Sequence, residues 1–246
     1  MKFEEIKGVK LDENGLLDIP KHIKRIKIDV GLSWSAPNSA LWLQSDTNNE
    51  LFVIGIEPNR FAFEKIGTKV YNPHPPYEQH EINNSNYMLL CCAIDDVEEV
   101  KMQPFYHIAV DEGNSSLLKP TSKLKDRHGL EVGEISDVPT IPLSSILKRI
   151  PWDRFSFIEH VKTDCQGKDM EVVLSSGDYL DKIVYLDSEV STNGYYENEN
   201  DTNQILTNIV SKGFKILESG INTSFINVSL EHLVKIHGLN NYTTKS

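Results

Sequence analysis

The stretch 155-FSFIEHVKTDCQGKDMEVVLSSG-177 decides the fold. Its first part, 155-FSFIEHVKTD-164, is a short run rich in aromatic and β-branched residues and reads as a strand. A turn at Cys165, Gln166 and Gly167 follows. Then 168-KDMEVVLSS-176 reads as a helix leading to a second apolar strand, 181-DKIVYLDSEV-190. Strand, helix and strand in that order make a βαβ unit, with parallel strands and a helix on one face.

The same alternation runs outward in both directions. Upstream, Arg25 to Gly31 is strand-like and Asn38 to Gln44 is helical. A strand at 51-LFVIGIEP-58 precedes a helix at 59-NRFAFEKI-66, where Phe63 and Ile66 share a face. The almost wholly apolar 87-YMLLCCAI-94 suits a buried parallel strand. A helix starts within 141-IPLSSILKRI-150, with Ser144 as its cap. Downstream, a helix around 202-TNQILTNIVSKG-213 ends at Gly213, and strands 214-FKILES-219 and 224-SFINVSL-230 follow. These elements predict one doubly wound, Rossmann-like α/β domain over residues 1–246, with a mostly parallel sheet and helices on both faces. Residues 1–22 read as a polar lead-in. Residues 67–86 and 95–140 read as loop insertions, the second irregular apart from a β-like piece at 104-PFYHIAV-110.

Composition narrows the function. The 246 residues are 39% hydrophobic, enough for an ample core, and carry a net charge of −11. That charge opposes a phosphate backbone, so nucleic acid is not an expected partner. The basic runs 20-PKHIKRIK-27 and 119-KPTSKLKDRH-128 read as solvated surface. No apolar run approaches the ~20 residues that cross a bilayer, and the N-terminus lacks the apolar core of a signal peptide. Cys91, Cys92 and Cys165 are too few and wrongly spaced for a zinc site or a disulfide framework. A cytoplasmic location is expected.

In an open parallel sheet, ligands bind beyond the carboxyl ends of the strands, where the winding reverses. The residues there are Asp29 and Gly31, then Glu57, Pro58 and Asn59, then Ala93, Ile94 and Asp95. Lys162 and Asp164 end the fourth strand, and Asp187 and Glu189 the fifth. An acid ending the second strand, after a glycine turn ending the first, is placed to accept hydrogen bonds from a ribose diol. Glu57 is that acid. The first turn, 29-DVGLSWS-35, lacks the further glycines that a pyrophosphate needs, which disfavours a dinucleotide. S-adenosylmethionine, which has no phosphate, asks for less. Asp29, the Gly31 backbone and the hydroxyls of Ser33 and Ser35 can serve its ammonium and carboxylate.

With these residues the chain resembles the FkbM family of S-adenosylmethionine-dependent methyltransferases, over most of its length from Ile26 to Val228. The family opens on Asp-Val-Gly-Ala-Asn-x-Gly. Here 29-DVGLSWS-35 keeps Asp29, Val30 and Gly31 and departs at Leu32, Ser33 and Ser35. The Glu-Pro that ends the family's second strand is matched by 53-VIGIEPN-59. The segment 92-CAID-95 is similar to the strand end that lines the adenine, and 114-NSSL-117 to a paired-serine loop. The longest match joins 139-PTIPLSSIL-147 to residues 155–177. There Lys162, Asp164, Gly167 and Leu174 fall on the family's Leu-Lys-Ile-Asp-x-Gln/Glu-Gly signature and its continuation, with Asp169 where a Glu is usual.

The resemblance implies a class I methyltransferase fold with an antiparallel last strand, and S-adenosylmethionine as cofactor. It also implies methyl transfer to a hydroxyl oxygen of a sugar, glycan or other small molecule. Cofactor contacts are then expected at Asp29, Gly31, Ser33, Ser35, Glu57, Pro58, Asn59, Ala93, Ile94 and Asp164. Asp164, beside the expected methyl group, is the first candidate base, with His160, Lys162, Glu189 and His107 behind it. Asp164, Asp187 and Glu189 are candidates to hold a hard cation such as Mg²⁺.

Other patterns point elsewhere. The segment 74-HPPY-77 is like the Pro-Pro-Tyr element with which DNA amino-methyltransferases hold a flipped base. It follows the second strand rather than the fourth, and reads as a proline-stiffened surface loop. His74 and His80 lack a third ligand at metal-site spacing. Two readings compete with the enzyme: a catalytically inactive methyltransferase-fold protein that binds a ligand or partner, and a dinucleotide-dependent oxidoreductase, which the missing glycines disfavour.

Overall fold

The computed structural model describes residues 1–66, 85–190 and 192–239. The strands, in chain order, are β1 (Arg25–Val30), β2 (Leu51–Ile56), β3 (Tyr87–Leu90), β4 (Ala93–Ile94) and β5 (Lys101–Ile108). They continue as β6 (Val132–Ile141), β7 (Ile158–Thr163), β8 (Ile183–Glu189), β9 (Phe214–Glu218) and β10 (Asn222–Asn227). The α-helices are α1 (Pro37–Ser45), α2 (Arg60–Lys65), α3 (Ser122–His128), α4 (Ser144–Leu147), α5 (Asp169–Leu174), α6 (Thr202–Ser211) and α7 (Glu231–His237).

Seven strands form the main sheet in the order β3-β2-β1-β7-β8-β10-β9. The first five run parallel, while β10 is antiparallel to both β8 and β9. From β1 the chain winds outward through β2 and β3. It then returns to the other side of β1 and winds through β7 and β8. The switch point therefore lies between β1 and β7.

Alternation along the strands explains the two covered faces. Ile26, Ile28 and Val30 of β1 and Phe52, Ile54 and Ile56 of β2 face one core. It is closed by Ile146 and Leu147 of α4, Val172 and Val173 of α5, and Ile205 and Ile209 of α6. On the opposite face Trp42 of α1 packs on Leu51 and Val53, and Leu233 and Val234 of α7 pack on Val184, Tyr185 and Ile226. Among the described residues no helix is long and apolar enough to cross a membrane.

Several expectations are corrected. The lead-in is not merely polar: Phe3, Ile6, Leu17 and Ile19 enter the larger core, and the Leu17 amide donates to the Arg149 carbonyl at 2.8 Å. Residues 95–140 are not irregular, because β5, β6 and β4 make a second sheet in the order β4-β6-β5. The third strand breaks at Cys91, so Ala93 and Ile94 leave the main sheet and pair with Thr140 and Ile141. Ser144 does not cap α4: Leu143 holds the cap position, without a side-chain bond. In α2 the buried residue is Ala62, and Ile66 already has extended geometry. The strand expected to Leu230 stops at Asn227, whose side chain accepts from the Ser229 amide and starts the turn into α7.

Candidate active site

The strand ends meet in order across the carboxyl edge of the main sheet. Each turn hangs on its neighbour: the Glu57 amide donates to Leu90 O at 3.0 Å, Gly31 to Ile56 O at 3.0 Å, and Asp164 to Val30 O at 3.0 Å. At the switch point Gly31 has φ +78°, and a Cβ there would stand 1.9 Å from the Asp164 carbonyl oxygen. Only glycine allows that approach. Ser33 also takes a left-handed conformation, φ +53°, at the position where the family motif has Asn. Ser35 does not, so exchanging the motif's glycine for serine there meets no backbone barrier.

Asp29 is buried, and its Oδ2 accepts from the Ser39 amide at 3.0 Å and the Ser39 hydroxyl at 2.7 Å. Its Oδ1 is buried without a hydrogen-bond partner among the described residues. Burial raises the Asp29 pKa, against the opposing charge of Lys162. Glu57 is equally enclosed. Its Oε1 accepts from the Asn59 amide at 2.8 Å, and the Ser33 and Leu32 amides also serve the carboxylate. Burial nevertheless pushes it up to about 7. Asn59 caps α2 through Oδ1, while its Nδ2 is a second buried polar atom without a partner among the described residues.

Beyond β7 a cluster of charged and polar side chains surrounds Asp164. Its Oδ2 lies 3.3 Å from Lys162 Nζ, and its Oδ1 accepts from Gln166 Nε2 at 2.9 Å. The same Gln166 amide donates to Glu189 Oε2 at 3.1 Å. Burial works to raise the Asp164 pKa, but Lys162 and the bonds from Glu189 and Gln166 outweigh it and hold the carboxyl low. Burial and the Asp164 charge push Glu189 up to about 9. The opposed shifts favour a singly protonated pair at neutral pH, with the negative charge toward Asp164. Asp169, not Asp164, serves the turn into α5: it accepts from the Cys165 amide at 3.2 Å. Burial, then the Asp164 charge, pushes Asp169 up to about 7.

A family model for the methyltransferase FkbM domain matches residues 43–216, more than half of the chain. The chain belongs to the FkbM methyltransferase family. No match was found among curated proteins or among solved structures. The matched span of the FkbM domain includes Glu57, Lys162, Asp164 and Glu189, while Asp29, Gly31, Ser33 and Ser35 precede it.

For an FkbM methyltransferase the first question is whether the pocket suits S-adenosylmethionine. The orphaned Asp29 Oδ1 and Asn59 Nδ2 offer an acceptor and a donor that the protein itself leaves unused. These features fit the cofactor. Glu57 fits only when its carboxylate trades loop amides for ribose hydroxyls.

Several expected site residues lie elsewhere. His160 is fully enclosed between the rings of Trp42 (5.1 Å) and Tyr185 (5.9 Å), so no substrate reaches it in this conformation. Asp187 lies 3.3 Å from His160 Nε2 and is itself buried. The expected Mg²⁺ set of Asp164, Asp187 and Glu189 therefore does not converge. Among the described residues no three His, Cys, Asp or Glu side chains gather to hold a metal. Ala93 packs with Phe105 and Val138 in the second sheet, and Ile94 faces the larger core. His107 bonds Ser136 Oγ at 2.7 Å, and burial lowers its pKa. Pro58 is half-buried between Glu57 and Asn59. The segment 74-HPPY-77, with His74 and His80, lies outside the described residues.

Sequence reasoning gave no role to Gln166, which stands in the signature, nor to Tyr196, which carries no local signal. The Tyr196 hydroxyl donates to Asn114 O at 2.7 Å and lies 3.2 Å from Gln166 Oε1.

Proposed function

We propose that the chain transfers the methyl group of S-adenosylmethionine to a hydroxyl oxygen of a small molecule or glycan. The observation that carries this reading is Asp164 itself. It stands at the switch point against Gly31, ionised, with its side chain 31% exposed beside the enclosed Lys162. When bound, S-adenosylmethionine supplies an electrophilic methyl group on a sulfonium whose charge vanishes as the methyl leaves. Asp29 Oδ1 would face its ammonium and Glu57 its ribose hydroxyls. Asp164 accepts a hydrogen bond from the acceptor hydroxyl, aims its oxygen and takes its proton. A hydroxyl oxygen that gains a methyl becomes a strong acid, so even a carboxylate of lowered pKa suffices as base. Neutral Glu189 donates to Asp164 and fixes its orientation, while Lys162 offsets the charge from below. Positioning and exclusion of water make up most of the catalysis. The net charge of −11 speaks against a nucleic-acid acceptor.

The test is thermal unfolding with S-adenosylmethionine. Binding to the folded state at a hundredfold excess over Kd stabilises by about 2.7 kcal/mol, and Tm should rise accordingly. No shift at millimolar cofactor overturns the proposal. The enclosure of Glu57 by the Asn59, Ser33 and Leu32 amides favours the non-catalytic reading. A cofactor-induced shift without transfer to any hydroxyl acceptor would support that second reading.

A further inference from the structure

Tyr87 opens β3 on the face of the main sheet that α1 covers, and its ring packs on Trp42, Leu51 and Val53. From there the side chain reaches across β2. It can do so because Gly55 has no side chain: a Cβ there would stand 2.2 Å from the Tyr87 hydroxyl oxygen and 2.8 Å from its Cζ. Gly55 pairs with Asp29 in the β1–β2 register, and alternation puts both on the α1 face. The hydroxyl therefore takes the place of a Gly55 side chain, one strand spacing (about 4.8 Å) from the root of the Asp29 side chain. Leu32 of the first turn lies against the same point, its Cδ1 2.8 Å away.

This hydroxyl is a buried polar atom without a hydrogen-bond partner among the described residues. The Ser39 hydroxyl lies near it but gives its own proton to Asp29 Oδ2 at 2.7 Å. The neighbouring acceptor left without a partner is Asp29 Oδ1. Burial first, then the charges of Asp29 and Glu57, hold the Tyr87 phenol protonated, so it stays a donor among acceptors. A phenylalanine would fill the same space over Gly55 and strand no polar atom, so packing alone gives the oxygen no reason to be there.

We propose that Tyr87 is a positioning residue for the cofactor's amino-acid end: its hydroxyl stabilises the Asp29 carboxylate as that carboxylate takes up the S-adenosylmethionine ammonium. The inference rests on the methyl-transfer reading and adds to it a residue from the start of β3, outside the strand-end turns. An ammonium is held well only by an ionised partner, whereas burial favours the neutral carboxyl of Asp29. Lys162 opposes that preference from β7, Asp164 reinforces it, and the two Ser39 bonds serve Oδ2 alone. A donor hydroxyl toward Oδ1 supplies the remaining support. The terminal torsion of a carboxylate is broad, so Asp29 can turn toward it without strain.

The test is isothermal titration of wild type and Tyr87→Phe with two ligands, S-adenosylmethionine and 5′-methylthioadenosine. The second keeps the ribose and adenine but has neither ammonium nor carboxylate. Tyr87→Phe should weaken S-adenosylmethionine binding about tenfold near pH 7 and leave methylthioadenosine within about twofold. Protonating Asp29 ends its hold on the ammonium, so affinity falls as pH is lowered. Losing the donor raises the Asp29 pKa, and the fall should begin about one pH unit higher. Glu57 titrates too, but its effect on the ribose is common to both ligands, and the ratio of their affinities removes it. Three results overturn the proposal: an unchanged affinity ratio, an equal loss for methylthioadenosine, or a loss for S-adenosylmethionine with the pH dependence of wild type. An unchanged ratio with firm binding of both ligands leaves the methyl-transfer reading standing. If wild type binds neither, that reading fails and the role of Tyr87 with it.

Discussion

Asp164 and Glu57 are both carboxylates at strand ends, yet their surroundings differ. Asp164 is ionised, partly open and held from two sides, so it should matter for turnover more than for cofactor affinity. Asp164→Asn is expected to lower kcat about a hundredfold or more, with the Kd for S-adenosylmethionine within about twofold. Calorimetric titration beside single-turnover rates checks this. An unchanged rate would end the role assigned to Asp164. Glu57 is closed in, and its carboxylate is the one acceptor that could take a ribose diol at the end of β2. Glu57→Ala should weaken cofactor binding about tenfold or more by the same titration. Both acids were legible in the sequence, because position at a strand end is a local property. The proton on Glu189 was not, since it depends on Asp164 lying beside it from a different strand. Tyr196 was invisible for the same reason: its partners Asn114 and Gln166 are 82 and 30 residues away.

At the level of elements, the two turns that meet at the switch point form one unit. Gly31→Ala would force a Cβ into the Asp164 carbonyl as well as straining φ at +78°. Gly177 also has positive φ, +56°, but nothing lies within 4 Å of its missing Cβ. The pair separates collision from conformational strain. Gly177→Ala should cost about 1 kcal/mol, and Gly31→Ala several times that, read from urea unfolding midpoints. Equal costs would mean that the Gly31 turn moves away from Asp164 freely.

Legibility of the elements followed burial. β2 was readable as an apolar run covered on both faces, β8 from the apolar run that opens it, and β1 and β7 from β-branched residues set between polar ones. Of the antiparallel β5–β6 pair only the piece at 104–110 was read as β-like, because Lys101 to Met102 at one end and Val132 to Glu134 at the other face solvent, and pairing rather than burial holds them. The helix α7 was missed because Val228 and Leu230 extended an apolar run past the true strand end. The Asn227 cap was the signal available there.

Across the whole molecule, the buried acids make stability depend on pH in an unusual direction. Burial leads the rise of Glu57 and Asp169 to about 7 and of Glu189 to about 9. An unfolded chain releases these protons near pH 4 to 5, whereas the folded chain keeps them. Between those limits the native state binds more protons than the unfolded state, so stability falls as pH rises. Asp164 runs the other way: its lowered pKa gives stability that is complete above about pH 4 and lost only below it, so it is silent across this window. The formal charge of −11 counts these three acids as ionised, so holding their protons leaves the folded chain less negative, and releasing them restores a self-repulsion that reinforces the fall. Urea unfolding at about pH 5 and about pH 8 should show the decline, with Glu57 alone contributing on the order of 3 kcal/mol. Glu57→Gln, which cannot ionise, should make the decline below about pH 7 shallower by its own share, with Asp169 and Glu189 still contributing there, and leave the upper part, due to Glu189, in place. If wild-type stability is level or rises from about pH 5 to about pH 9, these carboxyls are ionised within the fold. The single proton shared by Asp164 and Glu189 would then have to be given up.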